Sequence, residues 1–385
     1  MQPIPYGRQT ITPADIEAVS AALTSPFLTQ GPTVPAFEAA VAARVGASHA
    51  VAVNSATSAL HLACLALDLG PGDRLWTSPI TFVASANCGR YCGADVAFVD
   101  IDPATGLMDP DALQRQLAAA AANGTLPKVI VPVHLTGTSC AMAPIAAAAD
   151  RYGVQLIEDA SHAIGARYAG QPVGSCAHSA ISVFSFHPVK IITTAEGGMA
   201  TTNDAQLAAR MARLRSHGIE RERELFELPD AGPWAYEQQE LGFNYRLTDL
   251  QAALGLSQLQ RLEAIVAERN RLLQVYRDLL SSLPVRLLHI PADCHSSVHL
   301  AVIRLQEQDP AQHRRVFEGL RAAGIGVQLH YAPVHLQPYY RRLGWKPGDF
   351  PAAEAYASSA ISLPLFPGLS ESDQQRVVNT LRQLL

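Results

Sequence analysis

The sequence has little charge and no long apolar run. Charged residues make up 16% of the 385-residue chain, against about 25% in an average globular protein. The formal net charge of −5, without a basic block, argues against a nucleic-acid-binding surface. Polar side chains interrupt the most apolar stretch, residues 50–69, so no membrane span is predicted. With 48% hydrophobic residues the chain is too apolar for disorder and is expected to bury a large core, part of it in a subunit interface.

Paired cysteines and glycine-rich nucleotide loops are also missing. The six cysteines contain no CxxC pair, which favours free thiols in a reducing cytoplasm. The first ten residues lack a secretory pattern, which adds to the expectation of a cytoplasmic protein. Neither GxGxxG nor GxxxxGK[ST] occurs, so a Rossmann or P-loop site has no support. His330 and His335 do not have the spacing of metal ligands, and no metal site is predicted.

Short apolar runs alternate with helical patterns through the first 250 residues. Three of the runs lie at 49–53, 154–157 and 181–184. Such alternation is typical of βαβ units and predicts an α/β fold around a mostly parallel sheet. Ligands of these folds bind beyond the carboxyl ends of the strands. The residues that directly follow each run are therefore the first candidates for a site.

The pattern changes after residue 246. Residues 247–283 are helical throughout, and Pro284 ends this helix. The rest of the chain mixes helix and strand patterns, with a strand predicted at 326–331. We predict three parts: a large domain over 1–250 whose segment 1–14 lies near the active site, a connecting helix over 251–284, and a small C-terminal α+β domain over 285–385.

The run at 49–53 leads into a turn of small and hydroxylated residues. Ser55, Ala56 and Thr57 follow it, and a helical pattern begins there. Such a turn exposes N–H groups at the positive end of a helix, where a phosphate can bind. The alternative is an ordinary helix cap by a serine or threonine.

A carboxylate and a lysine follow the other two runs. Asp159 comes after residues 154–157 and is either a carboxylate that takes part in catalysis or a residue that caps a helix. Lys190 comes after 181–184 in nearly uncharged surroundings. Burial there would lower the pKa of the amine, as Schiff-base chemistry requires. The alternative is a lysine whose amine reaches solvent.

Together these three features meet the needs of one cofactor. Pyridoxal phosphate (PLP) requires an amine for its aldehyde, a carboxylate for its pyridine nitrogen and a cup for its phosphate. All three features are predicted at the same edge of one sheet, which is far less expected by chance than any one of them alone. The sequence therefore predicts a PLP site.

The chain resembles the DegT-type sugar-nucleotide aminotransferases over essentially its whole length. The segments that carry the resemblance are FLTQGP (27–32), NSATSAL (54–60), TSPITFVASAN (77–87), EDASHAIGA (158–166), SFHPVKIITTAEGG (185–198), LRSHGI (214–219), GFNYRLTDLQAALG (242–255) and HYAPVH (330–335). This resemblance implies the fold-type I architecture of aspartate aminotransferase and a homodimer with shared active sites.

The resemblance also assigns roles by position. Lys190 would hold the cofactor aldehyde and then move a proton, and Asp159 would pair with the pyridinium nitrogen. The other cofactor contacts would be Ala56, Thr57, Phe82, His162, Ser185 and Asn244, the last reaching across from the second subunit. The substrate contacts would be Tyr6, Pro26, Phe27, Leu28, Thr29, Ala56, Ser185, Asn244, Gln328, Leu329, His330 and Tyr331.

Several of these assignments have structural alternatives. Phe82 could be a core residue, and Asn244 could serve only a turn. Arg8, Arg215 and Arg246 are candidates for binding the carboxylates of the amino donor or the diphosphate of the substrate, and the sequence does not choose among them.

Four segments resemble most the transaminases of pseudaminic acid biosynthesis: PYGRQ, SPITFVASAN, VFSFHPVK and ISLPLFPGL. They imply L-glutamate as donor and UDP-2-acetamido-2,6-dideoxy-β-L-arabino-hexos-4-ulose as acceptor, giving UDP-4-amino-4,6-dideoxy-N-acetyl-β-L-altrosamine. Other UDP-4-keto sugars, of the bacillosamine or the 4-amino-arabinose type, are the alternative acceptors. A dehydratase would carry histidine in place of Lys190, and a PLP-binding regulator without activity would not need both Lys190 and Asp159.

Overall fold

A computed structural model describes residues 2–228, 232–307 and 309–385. The helices are α1 Pro13–Leu23, α2 Thr33–Val45, α3 Ala56–Ala66, α4 Ala84–Tyr91, α5 Pro110–Asn123, α6 Met142–Asp150, α7 Ala205–Arg215, α8 Asp249–Leu259, α9 Leu262–Leu280, α10 Pro310–Ala322, α11 Pro338–Arg341, α12 Pro351–Ala357 and α13 Glu371–Leu384. The strands are β1 His49–Val53, β2 Arg74–Thr77, β3 Asp95–Phe98, β4 Val129–Val131, β5 Gln155–Asp159, β6 Arg167–Tyr168, β7 Gln171–Pro172, β8 Ile181–Ser185, β9 Gly198–Thr202, β10 Ile219–Glu220, β11 Glu237–Gln238, β12 Val285–Leu287, β13 Cys294–His295, β14 Ala301–Leu305 and β15 Ala360–Leu363.

The predicted mostly parallel sheet is confirmed. Among the described residues, the central sheet holds seven strands in the order β1-β9-β8-β5-β4-β2-β3. Neighbours from β8 to β3 pair in parallel, whereas β9 is antiparallel to both β1 and β8. Since only β9 is reversed, the carboxyl ends of β1, β5 and β8 lie at the same edge. This places the three candidate segments side by side.

Side chains cover the edge of this sheet at β1. The N–H of Ala52 donates to Glu38 Oε1 at 2.8 Å, and Arg215 donates to the carbonyl of Ala52 at 2.7 Å and to Glu38. Covering an edge strand in this way prevents pairing with another chain. Arg215 is therefore committed to the sheet edge and does not line the cavity described below, which removes it from the candidates for anion binding.

The prediction of one continuous helix over 247–283 is wrong, because the structure has two helices there, α8 and α9. The backbone leaves helical geometry at Arg261, with φ −102° and ψ 7°. The guanidinium of Arg261 donates to the buried carboxylate of Asp15 at 2.7 Å. The break lets α8 pack against α1 and α2 while α9 packs against α13 and β12.

The C-terminal part packs around a small antiparallel sheet of order β12-β14-β15. Its core includes Leu272, Ile303, Val316 and Val377. The strand predicted at 326–331 is wrong, since only Gln328 forms an isolated bridge, to Ser362. The next residues turn toward the cavity, and His330 Nδ1 lies 2.8 Å from the hydroxyl of Ser362. The division into domains at residues 250 and 284 stays a prediction.

In the part of the chain that the structure describes, no helix combines the length and the apolar character needed to cross a bilayer.

Candidate active site

A cavity of about 440 Å³ opens at the carboxyl edge of the central sheet. The predicted site residues that line it are Tyr6, Ala56, Thr57, Phe82, Asp159, His162, Ser185, Lys190, His330 and Tyr331. Another cavity, of about 570 Å³, lies among α1, α2 and α8, but none of the side chains described around it is ionisable. The first cavity, which we call the sheet-edge cavity, holds both the predicted amine and the predicted carboxylate and is therefore the candidate active site.

The start of α3 forms an anion cup in this cavity. The hydroxyl of Ser55 accepts the N–H of Ser58 at 3.1 Å and so caps the helix. The earlier N–H groups of Ala56 and Thr57 have no acceptor inside a helix, as at every helix start, and both residues line the cavity. A Cβ at Gly198 would lie 2.5 Å from the nitrogen of Ala56, so the backbone here is approached as closely as glycine allows. An oxyanion such as phosphate fits this cup.

Lys190 presents its amine to the same cavity. A tight turn follows β8, closed by the N–H of Lys190 donating to the carbonyl of His187 at 2.9 Å. Burial lowers the pKa of the Lys190 amine from 10.5 to about 8, and the nearby negative charge of Asp159 opposes part of this shift. More of this amine is therefore neutral near neutral pH than of an ordinary lysine, and only the neutral form is nucleophilic.

Asp159 stands at the end of β5 and is only 5% exposed. Its Oδ1 accepts the N–H of Ser161 at 3.1 Å, and its Oδ2 accepts the hydroxyl of Ser85 at 2.6 Å. These contacts stabilise a negative charge in a site with little water. The carboxylate is thus held in place to meet a positively charged group in the cavity.

His162 lines the same cavity in neutral form. The N–H of Thr136 donates to His162 Nδ1 at 3.3 Å, so the ring proton sits on Nε2, 3.2 Å from the hydroxyl of Tyr331. Burial, and then the charge of Lys190, lowers the pKa of His162 well below its usual value. The site therefore contains a hydrogen-bonding imidazole that carries no charge.

His299 is a cavity residue that the sequence analysis missed. Its ring centroid lies 4.4 Å from that of His162, and its Nδ1 is buried with no hydrogen-bond partner in the described structure. Burial lowers its pKa well below the usual value. The available signal was a lone histidine between two serines and an apolar strand, in SSVHLAVI.

Other cavity residues were also missed. Thr81 and Glu196 line the cavity, and Ser85 binds Asp159 from the first turn of α4. The hydroxyls of Thr81 and Ser85 are four residues apart, a spacing that places them on one face of a helical turn. That spacing was the available signal.

Phe82 is not a core residue. Its side chain is 57% exposed at the mouth of the cavity, with its ring centroid 6.1 Å from that of Tyr331. The ring is thus free to cover a flat group bound in the cavity.

Some predicted residues do not reach the cavity within one chain. Asn244 is exposed and forms a bridge to Ser216. Residues 26–29 are exposed near α1, and Gln328 is exposed next to β15. Leu329 packs against the main core.

An amine of lowered pKa, a buried carboxylate and an anion cup thus share one cavity at the edge of a mostly parallel sheet. These residues fit PLP, because its aldehyde, ring nitrogen and phosphate each have a matching group. The fold and the site define the class of fold-type I PLP-dependent aminotransferases.

Comparison with known proteins places the chain within this class. The sequence profile of the DegT/DnrJ/EryC1/StrS aminotransferase family matches residues 9–382, and the chain belongs to this family. The spore coat polysaccharide biosynthesis protein SpsC of Bacillus subtilis is 38% identical over 99% of this chain and 97% of its own length.

Two solved structures are similar over nearly the whole chain. Helicobacter pylori PseC, an aminotransferase involved in the biosynthesis of pseudoaminic acid, is 31% identical with a TM-score of 0.90, covering 100% of this chain and 99% of that one. Spr1654 of Streptococcus pneumoniae in its PMP form is 28% identical with a TM-score of 0.90, covering 99% and 98%. The protein is thus a sugar aminotransferase that uses PLP, a nucleotide-sugar substrate and an amino donor.

Proposed function

We propose that the protein transfers the amino group of L-glutamate to C4 of UDP-2-acetamido-2,6-dideoxy-β-L-arabino-hexos-4-ulose. The product would be UDP-4-amino-4,6-dideoxy-N-acetyl-β-L-altrosamine. The observation that carries the proposal is that Lys190 and Asp159 face one cavity. The rings of Tyr6, His330 and Tyr331 also line it. The similarity to PseC over the full chain supports this choice of acceptor.

When bound, PLP supplies an aldehyde that condenses with amines and a ring that accepts electrons. Lys190 would hold the aldehyde between turnovers and, once released, move a proton between the substrate carbon and the cofactor carbon. Its pKa of about 8 suits both tasks, since the amine gains and loses a proton near the working pH. Asp159 would keep a proton on the ring nitrogen.

The remaining cavity residues would orient the cofactor. Ala56 and Thr57 would donate to the phosphate at the start of α3, with Ser185 beside them. His162 would donate its Nε2 proton to the ring hydroxyl, and Phe82 would cover the open face of the ring. An exposed aromatic ring in that place excludes water when the ring beneath it is bound.

Three aromatic or imidazole rings form the outer wall where a sugar nucleotide would enter. The rings of Tyr6 and His330 are 5.7 Å apart, and those of His330 and Tyr331 are 4.9 Å apart. Burial and the charge of Lys190 lower the pKa of His330 to about 4, so it binds as a neutral group. Neutral rings with polar tips suit a sugar, whose faces are apolar and whose rim is hydroxylated.

A homodimer with shared sites completes the proposal. Asn244 and residues 26–29 are exposed in one chain, so they are available to a second. In that arrangement Asn244 would reach the phosphate in the partner's cavity, and 26–29 and Gln328 would contact the nucleotide. The cytoplasmic location stays a prediction.

The acceptor can be tested with a half-reaction. The enzyme is converted to its pyridoxamine form with L-glutamate, freed of donor and mixed with either the L-arabino or the D-xylo UDP-4-keto sugar. We expect the absorbance of the pyridoxal form to return rapidly with the L-arabino sugar alone. Recovery mainly with the D-xylo sugar would refute the proposed acceptor but keep the roles of Lys190 and Asp159. Recovery with neither would refute the acceptor class.

The second candidate is another UDP-4-keto sugar. SpsC, a spore coat polysaccharide biosynthesis protein, is 38% identical to this chain and PseC is 31% identical, so PseC is not favoured by identity alone. The D-xylo arm of the experiment covers the bacillosamine type. A third arm with the UDP-4-keto-pentose covers the 4-amino-arabinose type.

A further inference from the structure

A chain of buried hydroxyl groups ends on the carboxylate of Asp159. Ser85 Oγ lies 2.6 Å from Asp159 Oδ2, and Thr81 Oγ1 lies 2.7 Å from Ser85 Oγ. Ser85 has no exposed surface and Thr81 is 2% exposed, so water does not compete for these contacts. A hydrogen bond as short as the one between Ser85 and an ionised carboxylate is stronger than a bond between two neutral groups.

The direction of the chain follows from its end group. An ionised carboxylate only accepts hydrogen bonds, so Ser85 donates to Asp159. The one hydroxyl proton of Ser85 is then used, and Thr81 donates to Ser85. A hydroxyl that accepts one hydrogen bond is polarised and donates a stronger one. Thr81 thereby strengthens the bond from Ser85.

We propose that Ser85 is a positioning residue that keeps Asp159 ionised and aimed at the ring nitrogen of PLP, with Thr81 as its support. This inference rests on the role proposed for Asp159. A hydrogen bond donated to a carboxylate favours its charged form. With PLP bound, the proton between Asp159 and the ring nitrogen would therefore stay on the nitrogen.

Loss of this hydroxyl would remove a hydrogen bond that Asp159 accepts only through its carboxylate oxygen. The shared proton would then move to Asp159, and the ring would lose the positive charge that draws electrons from the substrate. Ser85 thus affects the electronic state of the cofactor without touching it.

The same turn also sets the position of the stacking residue. Phe82 lies between Thr81 and Ser85, and the N–H of Ser85 donates to the carbonyl of Phe82 at 3.3 Å. The segment that leads into α4 and the first turn of α4 thus carry both the ring that would cover the cofactor and the hydroxyl that would fix its charge.

The test compares Ser85→Ala with Ser85→Thr and Ser182→Ala by titrating the absorbance spectrum of the bound cofactor against pH. Ser182 is a matched control because it is also a fully buried serine, paired with Glu158 where β8 runs beside β5. Its hydroxyl forms no hydrogen bond to any of the described residues. We expect Ser85→Ala to shift the pH at which the absorbance change of the bound cofactor is half complete by about one unit. We also expect it to weaken PLP binding about tenfold. Ser85→Thr should restore both, and Ser182→Ala should match the wild type.

Asp159→Asn separates the two levels of the argument. If Asp159→Asn changes the spectrum and Ser85→Ala does not, the inference on Ser85 is overturned and the role of Asp159 stands. If neither changes it, the role of Asp159 fails as well. Should Ser85→Ala not fold, Thr81→Val decides: a smaller shift in the same direction supports the inference, and an unchanged spectrum overturns it.

Discussion

The hydroxyl of Tyr331 lies 3.2 Å from Nε2 of His162 and joins the C-terminal part of the chain to the segment that follows β5. His162 comes three residues after Asp159, so the contact ties the outer wall of the cavity to its carboxylate. Burial raises the pKa of Tyr331, and burial lowers that of His162. Both groups are therefore neutral across the working pH range, and the bond persists through it.

Tyr331→Phe should lower kcat about tenfold and leave the pH optimum in place. The change removes the partner of a buried N–H, which costs about 1–3 kcal/mol, but it removes no group that titrates near neutral pH. Steady-state kinetics across pH would measure both effects. Tyr339→Phe, at an exposed tyrosine of α11, is the control and should behave as the wild type. A moved pH optimum would show that the pair does titrate.

Capture of PLP by cofactor-free protein should accelerate with pH, with a midpoint near 8. Burial disfavours the charged ammonium of Lys190, so the pKa lies at about 8 instead of 10.5 and the reactive neutral amine forms above it. Stopped-flow absorbance gives the rate at each pH. Asp159→Asn should lower the midpoint further, because the charge of Asp159 raises this pKa. Lys128→Ala, at a partly exposed lysine paired with Asp73, should change nothing. A midpoint near 10.5 would contradict the prediction.

The three central features were predictable because each directly follows an apolar run. Ala56 and Asp159 lie at or just after the ends of β1 and β5, and Lys190 lies in the turn after β8. The geometry of such a sheet brings those strand ends to one edge. Strand β9 was not predicted, because it begins at Gly198 and, apart from Met199, consists of small or polar residues. Side-chain contacts between distant parts of the chain could not be predicted from the sequence, for a different reason. Ser85 meets Asp159 across 74 residues, and no local pattern encodes that packing.

Glu38→Ala should lower the free energy of unfolding by about 1–3 kcal/mol. The change leaves the N–H of Ala52 and the guanidinium of Arg215 without their acceptor at the edge of the sheet. Urea denaturation measures the loss. Arg215→Ala should also destabilise the protein but leave KM for both substrates unchanged. A raised KM without a stability loss would return Arg215 to the anion-binding candidates.

Glu158→Gln should destabilise the protein at neutral pH and flatten its loss of stability in acid. Glu158 accepts from His134 Nε2 at 2.7 Å and from Ser179 at 2.5 Å, whereas glutamine has one acceptor oxygen for the two donors. Burial raises the pKa of Glu158, but these hydrogen bonds outweigh it and the pKa lies below 4.5. The ionised carboxylate therefore adds stability above pH 4.5, which is lost as pH falls through the lowered value.

Urea denaturation at several pH values would test this prediction. Glu263→Gln is the control, since its carboxylate is 69% exposed and its ion pair with Arg44 contributes little. If the free energy of unfolding falls equally steeply with decreasing pH in the wild type and in Glu158→Gln, Glu158 is excluded as a source of the acid sensitivity.

Mixing two inactive variants should restore activity if the site is shared between subunits. Lys190→Ala lacks the amine of the cavity, and Asn244→Ala lacks the residue proposed to reach the partner's phosphate. In a mixed dimer, one cavity combines the intact lysine of one chain with the intact asparagine of the other. Random exchange of equal amounts gives half mixed dimers with one working cavity each, so about a quarter of wild-type activity should return.

The decisive control is a pair of variants whose residues lie in the same chain's cavity. Lys190→Ala mixed with Asp159→Asn should regain nothing, because both residues line one cavity of a single chain and a mixed dimer holds no intact site. Recovery with Asn244→Ala but not with Asp159→Asn places Asn244 across the interface. No recovery in either mixture, with subunit exchange verified by mass, would assign Asn244 to a turn and leave the cavity complete within one chain.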